Sequence, residues 1–489
     1  MLWPMLPFDT QETLTSYADR LSMYHTGRGM ERLLRDRGIN HEHFASGRPE
    51  AVEMFADAVG HDLLELQRNA IRVFRLGGEF RGEATSKPFL LPQAKRYCPA
   101  CLAEDGGPTN WRFRLLWGFR HVQRCTHHGL WLTPTGKTGA INLRVALNDA
   151  HYNAPSDASG ETPTYLDWLR HRVHGGGPLE SSWLADQSME QVLAASEMIG
   201  GVLQHGHKVR LTKLSQEAAE EAIDIGFSIY QEGHEAVEEA LDTIRNMSPA
   251  SAVQAGPLAH YGVLFDWLDR RSNAIDPGPI RDLLRDHIVK HSAVEPGTTV
   301  LGEEITVRRY HSLPSLSLAV GIDRKRLSRI LKKLGKIPSQ ATEIEAGKMV
   351  FEAAQTVPLV EAFQTAIPLR DARDYIGATK LQFEVLYRTG AVQPLVPRTS
   401  QGSVRHVVFA RNHLDALLAQ IEELVEIVHR DRNDFHSLTY ASQRGAGRFE
   451  HLFTEILNRR IPAFRDPSKK GISSILVEVK PLVETANAA

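Results

Sequence analysis

The chain has 489 residues, 57 Lys and Arg against 59 Asp and Glu, a formal charge of −2, and 42% hydrophobic residues. That length and apolar content exclude wholesale disorder and predict three or more domains at roughly 100 to 200 residues each. No run of about 18 apolar residues exists for a membrane span, and three cysteines exclude a disulfide scaffold and point to the reducing cytoplasm.

Met1-Leu2-Trp3-Pro4 has no basic region ahead of an apolar core, so no signal peptide is expected. All three cysteines fall between positions 98 and 125. Cys98-Pro-Ala-Cys101 is a C-x2-C pair, and Cys125-Thr-His127-His128-Gly129 supplies C-x2-H after a 23-residue insert. Two closely spaced ligand pairs suit tetrahedral zinc, because each pair chelates from one tight turn. Pro99 and Gly129 support such turns. His127 competes as fourth ligand; His128 is preferred because its spacing mirrors the first pair. Four protein ligands leave no position for water, so one structural zinc is expected. A zinc deaminase would need a Glu beside its His ligand and the Cys pair after it, and here the Cys pair comes first.

Loop chemistry marks seams at residues 151–164, 174–178, 246–257, 273–279 and 394–402. Between them apolar residues recur at helical spacing. Residues 188–203 (Met189, Val192, Leu193, Met198) form one such stretch, and another starts near Asn412 (Leu414, Leu417, Leu418, Ile421). Strand signals are few, at residues 407–409 and 474–479. Residues 215–242 carry nine acids and no Lys or Arg, which reads as a solvated helix face. Residues 308–336 carry nine bases and one acid, Asp323.

The basic block lies in a helix-turn-helix ladder. Gly321 sits at the turn, where positive φ is cheap for glycine. Leu316, Val320, Ile322, Leu327 and Ile330 fill the five apolar positions, and Asp323 caps the second helix. That helix presents Arg324, Lys325, Arg326, Arg329, Lys332 and Lys333, well suited to a DNA major groove. The pattern recurs around Gly377 with Ala372, Ile376, Ala378, Phe383 and Leu386, presenting Lys380, Gln382, Tyr387 and Arg388, and a following strand makes it winged or excisionase-like. A weaker copy centres on Gly447, with Ala446, Phe453 and Ile456 correct but Ser442 and Arg448 in two apolar slots. An apolar stretch follows each glycine by about 30 residues, which argues for an internal repeat.

The stretch from Tyr97 to Leu132 resembles the TniQ family through Cys98-Pro-x-Cys101-Leu-Ala-Glu-Asp105, Trp111-Arg112, Trp117 and Cys125-x-x-His128-Gly129-x-x-Leu132. The opening segment around Glu12-Thr-Leu14 and the stretch from Trp183-Leu184 to Gly200-Gly201 also resemble it, so the resemblance extends over about residues 5–205. It implies a non-catalytic role in transposition. Such proteins bind target DNA or dock on an RNA-guided CRISPR effector complex, then recruit an AAA+ ATPase that engages the transposase. Many members continue with a second Cys-x-x-Cys; this chain has Leu132-Thr-Pro-Thr-Gly136 there and no further cysteine. Its C-terminal units resemble those of the longer, DNA-binding members, which favours autonomous recognition of double-stranded DNA.

The expected protein is mainly α and multidomain, with a small zinc-finger module and C-terminal helix-turn-helix and winged-helix repeats. The expected division is an N-terminal helical domain (1–95), the zinc-finger module (96–140), a helical domain (141–290) and three units at 291–357, 358–428 and 429–489. The chain is expected in the bacterial cytoplasm, associated with the nucleoid and not with a membrane. Two other readings compete: a zinc-dependent nuclease, for which no paired carboxylates, phosphate-cradling loop or nucleophile elbow is found, and a transcriptional regulator, which the helix-turn-helix units alone do not exclude.

Overall fold

A computed structural model describes residues 2–136, 141–147, 157–158, 160–175, 181–249, 256–270, 275–396, 407–427 and 434–488. Parts of all five expected seams lie outside the described residues. The chain is mainly α with small sheets, as its patterning predicts. It divides into two compact bodies, Met1–Lys290 with Gly297–Ile305, and His291–Pro296 with Thr306–Ala489. No described helix is long and apolar enough to cross a membrane.

The first body opens with five helices, Leu14–Thr26, Met30–Asp36, His41–Ala45, Pro49–Val59 and Leu63–Arg68, around Tyr17, Leu21, Leu34, Phe44, Val52 and Phe55. The first helix starts where Thr13 accepts from the Ser16 N–H and stops at Gly27 in the left-handed region. A three-stranded antiparallel sheet follows, Arg72–Val73, Gly77–Phe80 and Glu83–Ser86, with Arg72 opposite Glu79 and Gly78 opposite Thr85. Its second hairpin turns on Arg81 and Gly82, both at positive φ, which matches the twist of the flanking strands. This sheet was not expected from the sequence.

Helices Thr164–His174, Met189–His205, Gln216–Tyr230 and His234–Met247 build the rest of that body with shorter helices beside them. Helix Met189–His205 begins in a reciprocal cap between Ser188 and Gln191. It crosses Gln216–Tyr230 so closely that a Cβ on Gly200 would lie 1.8 Å from the Ala222 carbonyl oxygen, and one on Gly226 1.8 Å from that of Ser196. Those two glycines set the approach of the helices. The acidic block spans the third and fourth of these helices, and it is not wholly a solvated face. Glu220 is 3% exposed, and Asp224 accepts from the Thr164 hydroxyl and the Tyr165 N–H, capping helix Thr164–His174.

The second body repeats one layout three times: strand, helix, turn, helix, returning strand, helix. The first copy runs Tyr310–Ser312, Leu313–Val320, Arg324–Lys333, then Val350–Glu352 and Ala353–Gln364, with the short helix Glu343–Lys348 inserted. The second runs Ile367–Pro368, Leu369–Tyr375, Lys380–Arg388, Val408–Phe409, Arg411–Glu422. The third runs Phe435–Ser437, Leu438–Gln443, Phe449–Leu457, Ile475–Glu478, Val479–Ala488. In each copy the opening strand pairs antiparallel with the returning one: His311 with Phe351, Ile367 with Phe409, His436 with Val477. Each turn closes by the same backbone bond, Ile322 to Ser317, Ala378 to Arg373 and Ala446 to Ala441.

That bond corrects the third copy. Its left-handed turn glycine is Gly445, not Gly447, and the turn runs on through 448 before the next helix starts. The longer turn puts Ser442 and Arg448 outside the apolar slots, while Ala446, Phe453 and Ile456 are buried. In the first copy all five ladder positions are buried around Leu331 and Val360. The second and third copies share a single core through Ile376, Phe383, Leu386, Phe453, Ile456 and Val477. Gly377 and Gly471 touch back to back, with the Ile472 and Ser473 N–H groups donating to the Ile376 and Gly377 carbonyls at 2.9 and 3.1 Å.

Candidate metal centre and nucleic-acid interface

Cys98 is the N-cap of helix Pro99–Asp105, and Pro99 occupies the first helical position. Cys101 is therefore in the first turn, on the side of Cys98. The second pair sits on a knuckle closed by the Gly129 N–H on the Cys125 carbonyl at 2.9 Å, with Gly129 at φ 65°. Strands Arg96–Tyr97 and Thr133–Pro134 pair antiparallel and hold the two halves together. The three cysteines are buried and free.

These four side chains converge. Cys101 Sγ lies 3.6 Å from Cys125 Sγ, and His128 Nδ1 lies 3.6, 3.2 and 3.8 Å from the sulfurs of Cys98, Cys101 and Cys125. A tetrahedral ion with metal–sulfur bonds of about 2.3 Å needs sulfur–sulfur edges of about 3.8 Å, so the donors fit one ion. Cys98, Cys101, Cys125 and His128 could hold one metal ion. The side chain of His127 is 72% exposed and turns toward Glu104, which leaves His128 as the fourth donor. Three sulfurs so close resist ionising together. Cys125 is held well below the usual thiol range by hydrogen bonds from Cys101 and Cys98, and contact with that thiolate pushes the Cys101 thiol far up. A dication at their centre would let all three ionise.

The module is anchored by charge. Asp105, at the end of the ligand helix, accepts from the Arg112 backbone N–H at 2.8 Å and its Nε at 2.7 Å, and from Arg114 at 3.1 Å. Arg112 also reaches Asp9 at 2.7 Å, tying in the N-terminal segment. Arg124, beside Cys125, forms a buried ion pair with Glu220 on helix Gln216–Tyr230 and donates to the Glu161 carbonyl at 3.1 Å. Arg120 and His121 both meet Glu197 on helix Met189–His205. Burial alone would raise Glu197, but His121 and Arg120 outweigh it and hold the carboxyl down at about 2.

In the second body, Arg324, Lys325, Arg326, Arg329 and Lys333 are exposed on helix Arg324–Lys333. Lys332 is half-buried and donates to the Ala341 carbonyl at 2.7 Å, so it is partly committed. Asp323 caps the helix, accepting from the N–H groups of Lys325 and Arg326 at 3.0 and 3.2 Å. Three bases in the first turn oppose the positive end of the helix dipole, each at a cost of about 0.3–1 kcal/mol. A helix that places cations there breaks a local stability rule, as sites that meet an external anion do.

The other copies differ. Helix Lys380–Arg388 offers Lys380 and Arg388 against Glu384, and helix Phe449–Leu457 has Glu450 and Glu455 with no Lys or Arg. Gln382 is committed: its oxygen accepts from the Thr379 N–H at 2.8 Å and its amide donates to Thr439 at 2.8 Å. Both polar ends of its side chain therefore have partners within the chain. Tyr387 is half-buried, its ring 5.9 Å from that of Phe409. Lys380 and Arg388 instead line a groove of about 680 Å³ with Arg370 and Arg373. Those two arginines were missed in the sequence because the ladder weighs only the second helix, and they lie on the first.

Residues 4–132 match the TniQ family model. No curated protein matches the chain. The resemblance read from the sequence extends to about residue 205, whereas the match begins ahead of helix Leu14–Thr26 and ends just beyond the Cys125–His128 knuckle. It therefore takes in the opening helices, the small sheet and all four candidate ligands, and stops just short of strand Thr133–Pro134. The N-terminal part of the chain is therefore similar to the TniQ family.

Proposed function

We propose that the protein is a zinc-containing, DNA-binding target-selection adaptor for DNA transposition, without catalytic activity of its own. The observation that carries this reading is helix Arg324–Lys333, with six bases, no acid and its first turn set against its own dipole, in a chain that begins with a TniQ domain. The helix enters a major groove, with Arg324, Lys325 and Arg326 near base edges and the later bases on phosphates. Lys380, Arg388, Arg370 and Arg373 add phosphate contacts. Zinc cross-links the two halves of the module, four protein donors leaving no open position for substrate. The N-terminal body recruits an AAA+ ATPase, and through it the transposase.

Nuclease footprinting of the full chain on candidate target DNA tests this reading. Protection is expected, and should disappear when Arg324, Lys325 and Arg326 are all changed to Ala. Absence of protection by the wild type would favour an adaptor that docks on a CRISPR effector. A transcriptional regulator would protect DNA but would not capture a purified AAA+ partner.

A further inference from the structure

We propose that Glu104 is a positioning residue for the metal centre, holding His128 so that Nδ1 is the coordinating nitrogen. The inference rests on the reading of Cys98, Cys101, Cys125 and His128 as ligands of one ion. Glu104 follows Cys101 by three residues on helix Pro99–Asp105, so both project from one face of it. His128 comes from the opposite knuckle. Its Nε2 lies 2.9 Å from Glu104 Oε1, while its Nδ1 faces the three sulfurs. A neutral imidazole has one N–H and one lone pair. Donation of Nε2–H to the carboxylate therefore leaves the Nδ1 lone pair aimed at the ion. It also fixes the ring plane and makes the imidazole a stronger donor.

The neighbouring residue makes the arrangement rigid. Asp105 has no exposed side-chain surface and is clamped by Arg112 and Arg114, which pins the end of the helix that carries Glu104. The two adjacent acids thus divide the work, Asp105 holding the backbone and Glu104 orienting the ligand. The second oxygen of Glu104 lies 3.7 Å from His127 Nε2, beyond hydrogen-bond reach.

The test measures metal content, and metal transfer to a coloured chelator, for the full chain loaded with zinc. The cobalt(II) absorption spectrum of each variant reports the ligand set. Wild type and His127→Ala should bind one ion. Glu104→Ala should lose it about ten- to a hundredfold more readily, with altered cobalt bands and an unchanged circular dichroism spectrum in excess metal. Glu104→Gln should fall between, because its amide oxygen still accepts from Nε2–H. Retention in Glu104→Ala within about twofold of wild type, while Cys98→Ser loses the ion, would overturn the proposal. Retention in Cys98→Ser would overturn the metal reading beneath it. Two ions per chain, the second lost in both Glu104→Ala and His127→Ala, would make Glu104 a ligand instead and also overturn it.

Discussion

Around Cys125 the residue-scale picture is one of charges placed where only a partner makes them tolerable. His128→Ala should reduce metal content sharply, while His127→Ala should leave it at one ion per chain, as read by elemental analysis. Arg124 and Glu220 are each about one-twentieth exposed, so removing one partner strands the other. Glu220→Ala is expected to cost about 3–5 kcal/mol, measured by denaturant unfolding. Glu197 has a depressed carboxyl, held at about 2 against an ordinary 4.5. Its ionised form is favoured by folding, so its contribution is complete above 4.5 and falls as pH drops toward about 2. Glu197→Gln should flatten the pH dependence of the unfolding temperature in that acid range.

The cluster that could hold a metal ion was legible at this scale because C-x2-C and C-x2-H spacing restricts geometry by itself; the exposure of His127 separates it from His128. The commitment of Gln382 was not legible. Its partner Thr439 is 57 residues away and belongs to another repeat.

Among the elements, helix pairs dominate, and their glycines are where a single methyl decides the packing. Gly200→Ala or Gly226→Ala must push two helices apart, since the new atom would meet a backbone carbonyl at 1.8 Å. A loss of about 1–3 kcal/mol or more is expected, with the full effect read in thermal unfolding of the wild-type and variant chains. Apolar spacing revealed most helices, including Met189–His205 and Arg411–Glu422. It missed the sheet at 72–86, whose strands are short and glycine-rich and so lack alternation. It also missed the opening strand of each repeat, although Tyr310-His311-Ser312-Leu313 and Phe435-His436-Ser437-Leu438 share an evident pattern. The displaced turn in the third copy was hidden because its second helix starts four residues after Gly445 rather than three, so the apolar positions Ala446, Phe453 and Ile456 together fit the ladder only about Gly447.

At the scale of the molecule, the total charge of −2 conceals a division of labour. Acids concentrate in helices of the first body, while the second body carries a helix with six bases and no acid. The three repeats share a layout but not a surface. Only the first presents an all-basic second helix, and the second and third are fused through one core. The first two copies and the basic helix were legible in sequence because five apolar positions and a glycine recur at fixed spacing in both. The fusion was not, because it depends on Gly377 meeting Gly471 across 94 residues of chain.

Helix Arg324–Lys333 is proposed to bind DNA through phosphates and base edges. Its most direct test is the DNA affinity of the full chain across a salt series, for wild type and for the Arg324→Ala, Lys325→Ala, Arg326→Ala triple variant. Each phosphate contact contributes about 0.9 to the slope of log affinity against log salt. Wild type should show a steep slope, and the triple variant weak binding with a clearly shallower slope. Wild-type binding that is absent or insensitive to salt, or a triple variant with unchanged affinity and slope, would contradict it.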